Sequence, residues 1–212
     1  MNSEIQLVCF DLDDTLITHN SWKELGVALG VTLEQDQQYF QEYMDGHINN
    51  DQWNEKLLQI YKLHDDASRD GISHILSKYT YAPHARQAVA YVQSQGYKVA
   101  LVSGSIDILV SMVAKELGIE DHKANHTMVF GEDGRLSTIL SGGNDTLAKL
   151  GYLEAIAEEL SVPLSACACI GDGANDIEMF KKTNRGITFT GSPIEKCAWK
   201  VIDTLSDIES IL

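Results

Sequence analysis

The chain has 212 residues, a length that suits one large domain or one domain with a small insert. Its 31 acidic residues outnumber its 16 basic residues and give a formal net charge of −15. Such an acidic protein repels nucleic acid and anionic membranes, and no apolar run in the sequence approaches the roughly 20 residues of a membrane span. We therefore expect neither nucleic acid nor a membrane as a partner.

The first ten residues, MNSEIQLVCF, carry an acidic residue and no basic region, so they do not resemble a secretory signal peptide. Cys9, Cys167 and Cys169 lie in apolar runs, and Cys197 is the fourth cysteine. No second Cys or His pair has a spacing that matches Cys167-x-Cys169, which disfavours zinc binding. Buried free thiols in a reducing cytoplasm are the preferred interpretation.

The first predicted element is a buried strand over Ile5–Phe10, which ends in the acidic sequence DLDDT. From about residue 18 to residue 81 the pattern is helical and polar, with no evident strand. This segment is rich in aromatic residues, namely Trp22, Tyr39, Phe40, Tyr43, Trp53, Tyr61 and Tyr79. We predict a small helical cap over residues 18–81, inserted after the first strand. Its aromatic side chains are expected to form the core of the cap, with one or two facing a substrate.

Strands and helices alternate in the rest of the chain. In chain order the predictions are a helix from Pro83 to Gln95, a strand over Lys98–Val102, a helix over Ile106–Leu117, a hairpin within Met128–Ile139, a helix over Asp145–Leu160 and a strand over Ala166–Ile170. This alternation predicts an α/β fold with a doubly wound, Rossmann-like parallel sheet. Residues 1–17 and 82–212 would form the catalytic core domain.

Polar clusters follow the three predicted strands. They are Asp11-Leu12-Asp13-Asp14-Thr15, Ser103-Gly104-Ser105 and Gly171-Asp172-Gly173-Ala174-Asn175-Asp176. In an open α/β sheet the ligand crevice lies outside the carboxyl ends of the strands, so we expect these clusters to converge there. Converging carboxylates repel one another, and they form an oxygen-ligand site that suits Mg²⁺. The Ser103 hydroxyl, the backbone amides at Gly104 and the side chain of Lys149 are candidates to hold a phosphate.

Two further motifs have alternative interpretations, and the sequence disfavours both alternatives. Gly171-x-Gly173 is not a dinucleotide fingerprint, because Asp176 takes the place of the third glycine. The spacing of His122-x-x-x-His126 is open to a metal pair, but a polar loop is the preferred interpretation.

Taken together, D-x-D-x-T, V-S-G, a helix-borne lysine and G-D-G-x-N-D resemble the motifs of the haloacid dehalogenase superfamily of phosphatases. The resemblance is greatest to its phosphoserine phosphatase-like branch, which has a small helical cap after the first strand. It covers nearly the whole chain and includes GDGANDIEMF at residues 171–180. The resemblance implies Mg²⁺-dependent hydrolysis of a small phosphorylated metabolite through an aspartyl-phosphate intermediate.

The resemblance also implies a role for each site residue. Asp11 is expected to be the nucleophile, and Asp13 the general acid that later serves as general base. The expected Mg²⁺ ligands are the Asp11 carboxylate, the Asp13 backbone carbonyl and the Asp172 carboxylate, and Asp176 is expected to support them and to position Lys149. The phosphoryl oxygens are expected to be held by Ser103 and Lys149, with Gly104 and Asn175 close by.

The cap departs from that of true phosphoserine phosphatases. Asn20 stands where those enzymes carry the glutamate that binds the serine ammonium. Leu57 stands where they carry the arginine that binds the serine carboxylate, and the neighbouring Lys56 points about 100° away on a helix. The absence of both charged partners argues against phosphoserine as the preferred substrate.

Three alternatives remain open from the sequence. The first is a true phosphoserine phosphatase of serine biosynthesis. Phosphocholine or phosphoethanolamine is the second, with the ammonium group held by cap aromatics through cation–π contacts. A phosphate-binding module without turnover is the third. The oligomeric state is not indicated by the sequence.

Overall fold

The computed structural model describes residues 4–212, so residues 1–3 of the predicted core domain lie outside the described residues. Seven strands form one sheet in the spatial order β4-β3-β2-β1-β5-β6-β7. Neighbouring strands are parallel except β3 and β4, which are antiparallel. The predicted doubly wound sheet is therefore confirmed. The strands are β1 Leu7–Phe10, β2 Lys98–Ile106, β3 Asp121–Phe130, β4 Leu136–Ser141, β5 Cys167–Ile170, β6 Gly186–Phe189 and β7 Lys200–Ile202.

Eight α-helices surround this sheet in the described part of the chain. They are α1 Ser21–Ala28, α2 Leu33–Met44, α3 Asn50–Tyr61, α4 Arg69–Leu76, α5 Ala85–Ser94, α6 Asp107–Leu117, α7 Asp145–Glu159 and α8 Ile177–Thr183. The first four lie between β1 and α5, in the segment that the sequence assigns to the cap. An isolated antiparallel bridge joins Ile17 to Tyr81 at the two ends of that segment. None of the described helices is long and apolar enough to cross a membrane.

The central strand β1 is buried on both faces. Leu7 and Cys9 pack in one apolar cluster with residues of α7 and α8, whereas Val8 and Phe10 pack in a second cluster with α5, α6 and the cap. All four side chains are fully buried. The first polar side chain after this strand is Asp11, which therefore lies at the edge of the sheet where a crevice can form.

Asparagine side chains fix the start of two cap helices. The side chain of Asn20 accepts a hydrogen bond of 3.1 Å from the third N–H of α1, and that of Asn49 accepts one of 2.9 Å from the third N–H of α3. Both are N-caps, which satisfy backbone donors that a helix start leaves unpaired. They place Ser21 and Asn50 at the first helical positions, where the Ser21 side chain contacts Asp13 and the Asn50 side chain contacts Gly143 and Asp145.

Several strands differ from the sequence prediction, and β6 and β7 were not predicted. β2 continues through Ser103 and Gly104 to Ile106, and the β3–β4 hairpin is longer than its predicted range at both ends. His122 and His126 lie within β3, so their assignment to a polar loop is wrong. Many of the first residues of β3 are polar, and pairing with β2 and β4 specifies this strand where the apolar pattern does not.

The four cysteines are free, with Cys197 exposed and the other three buried.

Candidate active site

Three carboxylates meet at the carboxyl ends of β1 and β5. Asp11, Asp172 and Asp176 each present an oxygen, and these atoms all lie within 4.8 Å of one another. The parallel register pairs Phe10 with Ile170, so the chain leaves both strands side by side. The structure thus brings together two of the polar clusters that are distant in the sequence.

The positive charge that balances these carboxylates comes from α7. The Nζ atom of Lys149 lies 2.8 Å from Asp11 Oδ1 and 2.5 Å from Asp176 Oδ1, and the lysine side chain is 0% exposed. Burial alone would lower the pKa of Lys149, but the charges of Asp11 and Asp176 outweigh it and the pKa is raised. Lys149 is therefore a permanent cation beside Asp11.

The carboxyl group of Asp13 turns toward the cap instead of the other aspartates. Its Oδ2 accepts a hydrogen bond of 2.8 Å from the Ser21 hydroxyl, and its Oδ1 accepts one of 3.0 Å from the Ser21 N–H. Burial raises the pKa of Asp13 to about 7 in spite of these hydrogen bonds, and the charge of Asp11 adds to the rise. A carboxyl group with a pKa in this range can donate and accept a proton near neutral pH.

Asp172 is held by two hydroxyl groups. Thr15 Oγ1 donates to its carboxylate at 3.0 Å, and Ser192 Oγ donates to its backbone carbonyl at 2.8 Å. Burial, followed by the charges of Asp11 and Asp176, raises the pKa of Asp172 to about 7. The raised pKa reflects desolvation first and repulsion from the neighbouring carboxylates second.

This donor set fits a divalent metal ion. Asp11, Asp172 and Asp176 supply only oxygen ligands, as Mg²⁺ prefers, and a bound cation would favour their ionised forms. Gly171 is necessary to the arrangement, because the Asp176 carboxylate occupies the place where a Cβ at that position would lie. The Asp13 carboxylate is not part of this group, which leaves its backbone carbonyl as the predicted ligand.

The predicted phosphate-binding residues lie beside the same strand ends. β2 is the neighbour of β1 in the sheet, and Phe10 at the end of β1 pairs with Leu101. Ser103 and Gly104 therefore lie on β2 just beyond the end of β1. The Ser103 hydroxyl oxygen accepts a hydrogen bond of 3.1 Å from the Ser105 N–H. A Cβ on Gly104 would lie 3.3 Å from Asn175 Nδ2, so these two residues are in contact distance.

Sequence reasoning did not identify the contacts of several residues at this site. Trp22 Nε1 donates to the Gly104 carbonyl at 3.3 Å, and the Nδ1 of His126 hydrogen-bonds to the same carbonyl at 3.0 Å. Ser21 was also missed, because its contact with Asp13 depends on where α1 begins. Asp145 had a detectable signal, since it precedes Lys149 by four residues and such residues share a helix face.

The residues at the two cap positions where the sequence comparison expects charged serine-binding partners have other contacts. Asn20 is exposed and caps α1. Leu57 is 5% exposed and belongs to the hydrophobic core. Lys56 pairs with Glu42 at 3.0 Å, away from the aspartate cluster.

Comparison with known proteins identifies the family. The model of the haloacid dehalogenase-like hydrolases matches residues 5–184. The chain belongs to the haloacid dehalogenase-like hydrolases. The family that the sequence motifs predict is thus confirmed.

Similar proteins within this hydrolase family are phosphoserine phosphatases. The enzyme of Methanocaldococcus jannaschii is 31% identical over 215 residues, which cover 100% of this chain and 98% of that protein. The enzyme of Streptococcus thermophilus is 32% identical over 219 residues, covering 97% of this chain and 99% of that protein. A solved phospho-aspartyl intermediate analogue of phosphoserine phosphatase superposes with a TM-score of 0.81 at 29% identity, covering 99% of this chain and 100% of the other. The predicted phosphoserine phosphatase-like branch is also confirmed.

Proposed function

We propose that this hydrolase is a Mg²⁺-dependent phosphatase that releases phosphate from small phosphomonoesters through an aspartyl-phosphate on Asp11. The observation that carries the proposal is the contact of Asp11 with the buried ammonium of Lys149, at the edge of the sheet where Asp172 and Asp176 also lie. The phosphatase class is supported by the relatives, one of which was solved as a phospho-aspartyl intermediate analogue.

In the first step an oxygen of the Asp11 carboxylate attacks phosphorus, and the bond from phosphorus to the leaving oxygen breaks. Lys149 orients the attacking carboxylate, and its charge stabilises the phosphoryl oxygens. Ser103, the amide at Gly104 and Asn175 supply hydrogen bonds on the β2 side. Positioning and charge stabilisation account for most of the acceleration in reactions of this kind.

Asp13 moves the proton in both steps. It donates a proton to the leaving oxygen, which departs as an alcohol. It then takes a proton from the water that attacks the phosphorus of the aspartyl-phosphate, and Asp11 is regenerated with release of phosphate. The hydrogen bonds from Ser21 keep the Asp13 carboxyl group in place, and its raised pKa suits both roles.

Asp11, Asp172 and the Asp13 carbonyl would hold Mg²⁺, with Asp176 in support. When bound, the ion supplies positive charge close to the phosphoryl oxygens. The acidic chain, its free cysteines and a small phosphorylated substrate all suit a protein that works in the cytoplasm. A phosphate-binding module without turnover is not favoured, because the contact of Asp11 with Lys149 and the raised pKa of Asp13 suit nucleophilic attack and proton transfer.

A chromogenic aryl phosphate tests this function. We expect phosphate release with Mg²⁺ and none after thorough chelation with EDTA, with activity restored by added Mg²⁺. Hydrolysis that persists after chelation would refute the metal requirement, and no release of phosphate with Mg²⁺ would refute the phosphatase assignment.

Phosphoserine phosphatase activity is the second candidate, and the names of the similar proteins favour it. The environments of Asn20 and Leu57 disfavour it, because neither offers a charge to a serine zwitterion. A kcat/KM for phosphoserine above roughly 10⁴ M⁻¹s⁻¹, the range of efficient enzymes, would favour this second candidate. A value well below that of other phosphomonoesters would exclude it.

A further inference from the structure

A buried polar cluster that the mechanism does not use lies on the cap side of Gly104. Asp145 is its centre, and it opens α7 one helical turn before Lys149. Side chains at such positions share a helix face, with Cβ atoms about 5–6 Å apart. A Cβ on Gly104 would lie 3.3 Å from the Asp145 Cγ atom. The Asp145 carboxylate is therefore next to the proposed phosphate-binding residues.

One carboxylate oxygen of Asp145 is occupied and the other is open. Oδ1 accepts hydrogen bonds from Asn50 of the cap at 3.1 Å and from Asn125 of β3. Oδ2 makes no hydrogen bond within residues 4–212. The two amides thus fix the orientation of the carboxylate and leave one anionic acceptor for another group.

His126 offers a second open acceptor. Its Nδ1 faces the Gly104 carbonyl, which can only accept, so Nδ1 carries the proton and Nε2 has the free lone pair. The side chain is 5% exposed, and Nε2 has no hydrogen-bond partner among the residues that the structure covers. Burial lowers the pKa of His126, although the charge of Asp145 opposes this, so the ring favours its neutral form.

An indole ring completes the cluster. Trp22 packs edge-on against His126 with ring centroids 4.8 Å apart, and its Nε1 donates to the same Gly104 carbonyl. Both rings are thereby held at the carbonyl of Gly104, the residue that the Asp145 carboxylate also approaches. An anion and an aromatic ring in a desolvated site attract a cation.

Within residues 4–212, no lysine or arginine side chain forms an ion pair or a hydrogen bond with Asp145, His126 or Trp22. The ammonium of Lys149 contacts Asp11 and Asp176, and Lys56 contacts Glu42, so neither is directed to a ligand carboxylate. A carboxylate brought beside Asp145 would meet a like charge, and Lys149, the cation whose charge acts on Asp145, is already paired with Asp11 and Asp176. The same arrangement that attracts an amine therefore rejects an amino acid.

We propose that Asp145, with His126 and Trp22, binds the leaving group, and that the substrate is the phosphomonoester of an amino alcohol that bears a protonated amine and no carboxylate. This inference rests on the proposed phosphatase function. It assigns specificity for the leaving group to His126 of β3 and Asp145 at the start of α7, instead of to the cap positions Asn20 and Leu57.

Phosphoethanolamine and n-propyl phosphate are nearly isosteric, and they differ mainly in an ammonium group against a methyl group. With Mg²⁺ present, we expect kcat/KM to be about 10- to 100-fold higher for phosphoethanolamine, as for a hydrogen bond to a charged group. O-phosphoserine, which adds a carboxylate, should fall well below phosphoethanolamine.

Asp145→Asn tests the residue directly, because it keeps Oδ1 for the two asparagines and removes the charge. We expect the ratio of kcat/KM values for the two isosteric substrates to fall toward one. The matched control is Asp70→Asn, the same change at an exposed position in the first turn of α4, which should leave the ratio unchanged.

A ratio near one in the wild-type enzyme would overturn the inference, and this measurement needs no variant. An unchanged ratio in folded Asp145→Asn protein, verified by its unfolding midpoint, would make the aspartate a structural link between cap and core and would also overturn it. If the wild-type enzyme hydrolysed none of these substrates, nor an aryl phosphate, the proposed function itself would be refuted.

Discussion

At the scale of single residues, the site depends on a fully buried lysine between two aspartates. Each of these charges would be costly to bury alone, and their mutual contacts offset that cost. Removal of the lysine leaves Asp11 and Asp176 with unbalanced charge. Lys149 is therefore important to both catalysis and folding.

We predict that Lys149→Met lowers kcat by about 10²–10³-fold, as for loss of a preorganised charge at a transition state. The free energy of unfolding should fall by about 3–5 kcal/mol, because one partner of a buried ion pair is lost. Steady-state kinetics and urea unfolding measure both effects. A near-normal kcat would show that another cation holds the phosphoryl group.

Lys182→Met is the matched control for this change. Lys182 pairs with Glu154 at 3.3 Å on the surface, with 53% of the lysine side chain exposed. Exposed ion pairs contribute about 0–1 kcal/mol, so little change in stability and none in kcat is expected.

We predict that Asp11→Asn abolishes turnover and leaves the fold intact, since an amide is nearly isosteric with the carboxylate but does not attack phosphorus. The control is Asp14→Asn, an exposed neighbour with a φ of 55°, a backbone conformation that asparagine tolerates. Rates with an aryl phosphate and circular dichroism of both variants are the measurements. Substantial turnover by Asp11→Asn would refute its assignment as nucleophile.

The site residues that could be inferred from the sequence belong to short motifs. Asp11, Asp172 and Asp176 follow apolar strands, and the rule that strand ends meet brings them together. The contacts of Ser21 and His126 could not be inferred, because they depend on where a cap helix begins and on a polar strand. Such contacts are set by the packing of distant elements and leave no local pattern.

At the scale of elements, α1 connects the predicted cap to the residues that we propose for catalysis. Its N-cap is Asn20, and its first two residues, Ser21 and Trp22, contact Asp13 and Gly104. The position of the helix start thus determines how the proton donor is held.

We predict that Asn20→Ala lowers the free energy of unfolding by about 1 kcal/mol, the usual contribution of an N-cap. It should also lower kcat, because Ser21 is then less firmly placed against Asp13. Asn20→Asp keeps a capping oxygen, so its free energy of unfolding and its kcat should both remain close to those of the wild type. Chemical unfolding and initial rates of the two variants measure both effects. Equal stability and equal kcat in the two variants would contradict the role of Asn20 as an N-cap.

Strands were predictable in proportion to their burial. β1 and β5 are short, wholly apolar and central, so hydrophobic pattern alone identifies them. β7 was not predicted, since it has three residues and two of them are exposed. β6 is the exception to this trend, because it was not predicted although three of its four residues are buried. The predicted boundaries of the cap, residues 18 and 81, stay a prediction.

At the scale of the whole molecule, the proposed metal site would connect ligand binding to stability. A ligand that binds only the folded state stabilises it, by about 2.7 kcal/mol at a concentration 100 times its Kd. We predict that Mg²⁺ raises the melting temperature relative to EDTA, and that Asp172→Asn removes most of this effect.

Differential scanning calorimetry measures that shift, with NaCl at matched ionic strength as the control. The control is necessary because a chain of net charge −15 is stabilised by any salt that screens its self-repulsion. Equal shifts with NaCl and with Mg²⁺ would show that screening alone is responsible.

The central position of β1 has a consequence for the synthesis of the protein. Leu7 is paired with Lys98 on one side and with Cys167 on the other. A ribosome adds roughly 5–20 residues per second, so this strand waits several seconds for its second neighbour while its apolar side chains lack their final cover. The nascent cap helices follow it immediately and are the first apolar surface that it can contact. Translation speed across the middle of the gene, and not only the finished sequence, therefore bears on how much of the protein reaches its native state.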